Sequence, residues 1–261
     1  MKTVLILAAL NNFISTAHAF TMNNSARLAF GQDEVIVNVA AGLCTQIGIS
    51  DEELLSIVGK AVDNFWNKAP ASRLKLRKGN LINVSGLYHS ASICQAATNC
   101  TPNSALAVSS DILVTCNDNA TNFPTNSILG ITIPNNIAAG TIIGSLVMIG
   151  DNVGNQFATK NTNEKTSIIA HEIGHAIGLG HSPVADSLMY YATRDKRVAL
   201  GRDDLDGLSY LYPKEQPFSG CGTIDLDSNQ NPPQDWWGGL LIGLGIIGLF
   251  KSLKQKIKFY T

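Results

Sequence analysis

Two hydrophobic rhythms run along the chain. Val35, Ile36, Val37 and Val39 form a β-branched run that predicts a first strand. Ser50 and Asp51 then sit where a helix N-cap belongs, acids follow at Glu52 and Glu53, and Leu54, Leu55, Val58, Val62, Phe65 and Trp66 recur at helical spacing. This amphipathic helix is expected to end near Lys68, ahead of Pro70. Residues 73–77, RLKLR, alternate as a half-exposed strand does. The middle third carries strand signals at 112–115, 128–133 and 142–149, punctuated by Gly, Asn and Pro. Helical spacing returns over 164–178 through Ile168, Ile169 and Ile173, and a last helix is expected from Asp203 to about Tyr212, before Pro213. Acids in its first turn suit the helix dipole. One helix, a stranded middle and two further helices make an α+β arrangement.

Both ends depart from this pattern. Lys2, an apolar stretch from Val4 to Leu10 and the ending Ala17-His18-Ala19 predict a secretory signal peptide over 1–19, against the alternative of a buried first helix. Residues 214–235 change to Pro, Gly, Ser, Asn, Gln and Asp, which is linker chemistry. The segment 236–261 opens on Trp236 and Trp237, continues apolar to Phe250 and ends with Lys251, Lys254, Lys256 and Lys258. Its apolar run is shorter than the roughly 20 residues of an ordinary span, yet aromatic and basic flanks fit a membrane and put the preceding domain outside. The expected location is therefore exported: periplasmic, cell-surface or extracellular, and at first tethered to the membrane by this tail.

Composition narrows the field. With 261 residues and 45% apolar content the chain can bury a full core. A formal net charge of -1 and 15% charged residues supply no field that draws nucleic acid, so no nucleic-acid partner is expected. Export makes disulfides among the five cysteines accessible. Cys94 and Cys100 are close enough for a local loop, while Cys44, Cys116 and Cys221 leave an odd count and an open connectivity.

The chemistry concentrates in residues 171–181, HEIGHAIGLGH. His171 and His175 are four apart on a helix, so two imidazoles project from one face towards a shared metal ion. Gly178 can take the left-handed conformation that ends a helix, letting the chain turn back so that His181 supplies a third imidazole. Three neutral nitrogens leave a fourth position open, which is a catalytic Zn2+ site rather than a structural one. Glu172, beside the first ligand, is placed to accept a proton from water and return it to a leaving amine. HExxH alone arises by chance in roughly one chain of this size in a hundred, and Gly178 with His181 lowers that by about three orders of magnitude. His89, outside this cluster, is expected to be a structural or surface histidine rather than a ligand. Asp151, Asn152 and Asn155 with Gly154 form an oxygen-rich loop open to Ca2+ or to an ordinary turn.

The pattern HExxHxxGxxH followed by DSLMYY, which supplies Met189, resembles the metzincin signature. HEIGHAIGLGHS with LMY, DDLDGLSYLYP before residue 214, the helix ending FWNKAP and the strand RLKLR look like the matrixins, the matrix metalloproteinase family. The resemblance, to matrixins of a bacterial type, spans 27–213. It implies a zincin-like metzincin catalytic domain, with a twisted mixed five-stranded sheet, three helices and Met189 beneath the metal. It also implies a zinc-dependent endopeptidase whose protein or peptide substrate lies extended along an antiparallel edge strand, assigned to residues 128–132, ILGIT. Three departures stand out: the 261 residues carry no PRCGxPD latency switch, the histidines of a second, structural zinc have no counterpart, and Tyr191 stands where animal matrixins usually have proline. Astacins and serralysins place a tyrosine ligand there. Tyr191 is accordingly expected either to approach the zinc or the developing oxyanion, or simply to pack. The tail resembles the bacterial Gly-Gly sorting signal, through Gly238 and Gly239, which implies a rhomboid-like sorting protease as partner, against the alternative of a plain tail anchor. A non-catalytic zincin-fold binding or adhesion module is the competing reading, and Glu172 is the residue that separates the two.

Overall fold

The computed structural model describes residues 20–23, 26–94, 101–192 and 197–214. The expected signal peptide, nearly all of the linker and the whole tail lie outside these residues. Among the described residues no helix is long and apolar enough to cross a membrane.

In chain order the elements are β1 (Ala29–Phe30), β2 (Glu34–Ala40), α1 (Asp51–Asn64), β3 (Lys75–Ile82), β4 (Asp111–Asn117), β5 (Gly130–Ala138), β6 (Thr141–Gly150), α2 (Thr162–Ala176) and α3 (Arg202–Leu211), with a single helical turn at Leu87–Ser90. β2 buries Val35, Val37 and Val39 and turns Ile36 outward, the alternation its sequence predicts. Ser50 caps α1, its side chain accepting from Glu53 N at 3.1 Å. The helix stops at Asn64, short of the expected Lys68, and Trp66–Lys68 tighten into a 3-10 turn that seats the Trp66 indole in the core, its Nε1 donating to Ala170 O at 2.8 Å. β3 begins later than RLKLR suggests because the preceding residues pair elsewhere: Arg73 N donates to Tyr212 O at 2.9 Å and Ser72 bridges Pro213.

Among the described residues the sheet has six strands in the order β1-β6-β4-β2-β3, with β5 paired to β6, where five were expected. The additional member is the two-residue β1. All pairings are parallel except β5 with β6, which form a hairpin turned by Ala139 (φ +49°) and Gly140 (φ +77°). β5 is therefore an antiparallel edge, and it tolerates Pro134 because an edge strand can spare one N–H. β6 is buried along nearly its whole length, as expected of a strand covered on both faces. One face packs α1 and α2 through Leu54, Val58, Ile169 and Ile173. The other is covered by loop residues Ile93, Leu106, Val108 and Phe123.

Of the open cysteines, Cys44 pairs with Cys116, Cα to Cα 5.0 Å, across 72 residues. Cys94 is also disulfide-bonded. Cys100 and Cys221 lie outside the described residues.

Candidate metal centre

α2 carries the first two ligands because its start is fixed. Asn161 accepts from the N–H groups of Asn163 and Glu164 at 3.0 and 3.1 Å, and Glu164 Oε2 accepts from Asn161 N at 2.9 Å, which completes a capping box. Ile169, Ile173 and Ala176 are buried, while His171 and His175 emerge one turn apart on the cleft side. The helix ends as the sequence predicts. Gly178 sits at φ +104°, its N–H donates to His175 O at 3.1 Å, and Leu179 N donates to Gly174 O at 3.0 Å. No side chain fits at 178, since a Cβ would stand 2.3 Å from Leu28 O. Residues 20–23 run alongside the loop that follows: Gly180 N donates to Thr21 O at 2.8 Å, Asn23 N to Gly178 O at 2.9 Å, and the Thr21 hydroxyl to His181 O.

The candidate ligand atoms of His171, His175 and His181 lie within 4.8 Å of one another. A carbonyl only accepts, so the contacts from His171 Nδ1 to Leu188 O and from His175 Nδ1 to Leu179 O, both 2.8 Å, put the proton on Nδ1 and leave Nε2 as a bare lone pair. His175 Nε2 then faces His181 Nε2 at 3.2 Å. That is close to the about 3.3 Å that separates two nitrogens on one tetrahedral zinc. Burial, reinforced by neighbouring His171, pushes His175 down to about 3 and also lowers His181, so both offer neutral nitrogens at pH 7. These residues fit Zn2+.

Glu172 is buried and points into the same cleft. Burial pushes its carboxyl above the usual range, against the opposing pull of His171 and of the Thr132 hydroxyl, which donates to Glu172 Oε2 at 2.6 Å. Met189 is buried, and a Cβ on Gly174, the neighbour of His175 in α2, would stand 2.3 Å from its Sδ. The Met189 turn is held by a residue whose role the sequence concealed. The buried Asp204 carboxylate accepts from Leu188 N at 2.6 Å, Met189 N at 3.0 Å, Gly201 N at 2.7 Å and the Ser187 hydroxyl. Tyr191 is 65% exposed, its ring 4.4 Å from that of Tyr190. It lines a cavity of about 180 Å³ together with His171, Glu172 and Leu129.

His89 and the oxygen-rich loop at 151–155 meet through Asp151. His89 Nε2 lies 2.9 Å from Asp151 Oδ2, away from the histidine cluster. The Asp151 carboxylate also accepts from the N–H groups of Thr45, Gln46 and Ile47, each at 2.9 Å. Asn155 is likewise committed, to Ile128 O and Phe157 N. Of the side-chain oxygens in this loop that were open to Ca2+ or to an ordinary turn, those of Asp151 and Asn155 are engaged in hydrogen bonds within the protein, and Asn152 Oδ1 is buried without a partner.

Comparison with known proteins agrees with this geometry. Residues 13–213 match the matrixin family, Peptidase M10. The chain belongs to the matrixin family. Among similar proteins, this matrixin is 37% identical over 86 residues to metalloendoproteinase 5-MMP of Arabidopsis thaliana, an alignment covering 31% of this chain and 24% of the relative. It is 46% identical over 67 residues to metalloendoproteinase 4-MMP of the same plant, 25% of this chain and 20% of the relative. Stromelysin-1 of Mus musculus is 45% identical over 71 residues, 26% of this chain and 15% of the relative. The alignments thus span a quarter or less of these relatives' own lengths.

Proposed function

We propose that this matrixin is a zinc-dependent endopeptidase acting on extended protein or peptide segments outside the cytoplasm. The observation that carries the reading is the conjunction of three clustered imidazoles, two of them with a bare Nε2, and a buried carboxylate, Glu172, opening into one cleft beneath an edge strand. Zinc, when bound, supplies a Lewis acid that acidifies water and polarises a carbonyl. His171, His175 and His181 hold it. The Glu172 carboxylate accepts the proton of the attacking water and delivers it to the departing amine nitrogen. Backbone groups of β5 pair with the substrate chain, and the cavity lined by Leu129, His171 and Tyr191 receives one substrate side chain. The relatives named as metalloendoproteinases support this chemistry.

Tyr191, which lines that cavity, is proposed to assist the developing oxyanion through its hydroxyl. Tyr191→Phe then lowers kcat, and unaltered turnover would return the residue to a packing role. The signal-like residues 1–19 and the aromatic and lysine-flanked tail support export of a bacterial-type enzyme, membrane tethering and processing by a rhomboid-like protease.

The test is cleavage of a peptide library by the zinc-loaded protein, with a chelator control and Glu172→Gln. Turnover lost with the chelator and reduced roughly 10²- to 10⁴-fold by Glu172→Gln is expected. Equal cleavage by wild type and variant would overturn the mechanism, and zinc binding without cleavage would favour a binding module.

A further inference from the structure

Three rotatable bonds separate the Glu172 backbone from its carboxylate, so the helix alone does not decide where that carboxylate sits. Strand β5 does. A Cβ on Gly130 would stand 2.7 Å from Glu172 Cγ and 2.8 Å from both Cδ and Oε1, so the glutamate fills the space that this glycine leaves. Two residues along, and therefore on the same face of the strand, the Thr132 hydroxyl donates to Glu172 Oε2 at 2.6 Å. Thr132 is half-buried, is paired in register with Val147 of β6, and is β-branched, which limits its χ1. A short hydrogen bond to a carboxylate is charge-assisted and directional.

From this we infer that Thr132 is a positioning residue for Glu172: Gly130 opens a seat on β5, and the Thr132 hydroxyl fixes the carboxylate in it by holding Oε2. The inference rests on the proposed function for its kinetic consequence. Its structural consequence is independent of that reading. Because β5 is also the strand proposed to pair with substrate, the residue that aligns the base and the backbone that aligns the scissile bond belong to one hairpin. The alignment survives only while the hydroxyl is present.

The experiment compares Thr132→Val, which keeps the branched shape and removes the donor, with Thr132→Ser, which keeps the donor. Kinetics, zinc affinity and crystal structures of the zinc-loaded proteins are read together. Thr132→Val is expected to lower kcat roughly tenfold with KM within about twofold and zinc affinity unchanged, as misplacement of a catalytic group predicts. Thr132→Ser is expected to recover most of that loss. In a Glu172→Gln background, Thr132→Val is expected to add no further loss of the residual rate. In the crystal, Glu172 should occupy one rotamer in wild type and Thr132→Ser, and several in Thr132→Val. A Thr132→Val enzyme with full kcat, a Thr132→Ser enzyme as slow as Thr132→Val, or an ordered Glu172 in Thr132→Val would overturn the inference. If the wild type cleaves nothing, the functional reading fails, while the rotamer comparison still decides the role of Thr132.

Discussion

Asp204 shows how one side chain acts on the metal site without touching it. Its carboxylate fixes Leu188 N, and Leu188 O in turn fixes His171 Nδ1. Removing it orphans several buried donors, each costing about 1–3 kcal/mol. Asp204→Ala should therefore lower the thermal midpoint and weaken zinc binding roughly tenfold, the low end for an outer-shell partner. Titration against a competing chelator reads the second effect, and unchanged affinity would mean that Leu188 keeps its place without the carboxylate. The sequence marked Asp203 and Asp204 only as acids suited to a helix N-terminus. Nothing in their spacing announces that Asp204, besides accepting from Gly201 N at the start of its own helix, reaches into a turn 15 residues earlier. The three histidines and Glu172 were legible for the opposite reason, since α2 and its glycine stop determine their mutual placement locally.

At the scale of elements, the junction after α2 is the most constrained. Gly178 meets two conditions, a positive φ and a carbonyl in close approach, so Gly178→Ala should cost on the order of 2 kcal/mol and displace the loop that bears His181. Zinc affinity is expected to fall even under conditions where the variant is folded, and calorimetric titration would show it. The end of α3 is tied in by another contact, as buried Tyr212 accepts from Phe30 N at 3.0 Å and donates to Ile177 O at 2.7 Å. Tyr212→Phe leaves both unpaired and should cost about 2 kcal/mol by chemical denaturation. Unlike the two-residue β1 and the turn at Leu87–Ser90, the long strands and helices followed the hydrophobic period in their identities. Their ends did not, because the late start of β3 is set by pairing of Ser72 and Arg73 with a segment at the other end of the domain.

Over the whole molecule, Asp151 and the Cys44–Cys116 disulfide clamp the segment after β2 to the ends of β4 and β6. Burial pushes the Asp151 carboxyl up, but hydrogen bonds from His89 and from the N–H groups of Ile47, Gln46 and Thr45 outweigh it and hold the group below its ordinary value. On acidification the unfolded chain takes up this proton first. The contribution is thus whole above about pH 4 and is lost as pH falls through the lower folded value. Asp151→Asn should destabilise the protein at pH 7 and flatten its loss of stability below pH 4, as denaturation curves at pH 7 and pH 3 would show. Opening the disulfide, which closes a loop across 72 residues, should cost about 4 kcal/mol. A smaller loss would show that the Asp151 clamp suffices.

By itself the sequence determined the α+β class, nearly every long element and the clustering of the three histidines beside Glu172, because these depend on period and on spacing within one helix and its stop. Only the tertiary structure decided which residues support them. Thr132 reaches Glu172 across 40 residues, and Gly130 makes room for it, through the register of β5 on β6. The oxygens of Asp151 look free for a cation in a linear chain, yet they are consumed by backbone N–H groups more than 100 residues away. Such contacts depend on which face of an element meets which neighbour, a property of the packed whole that no local pattern encodes.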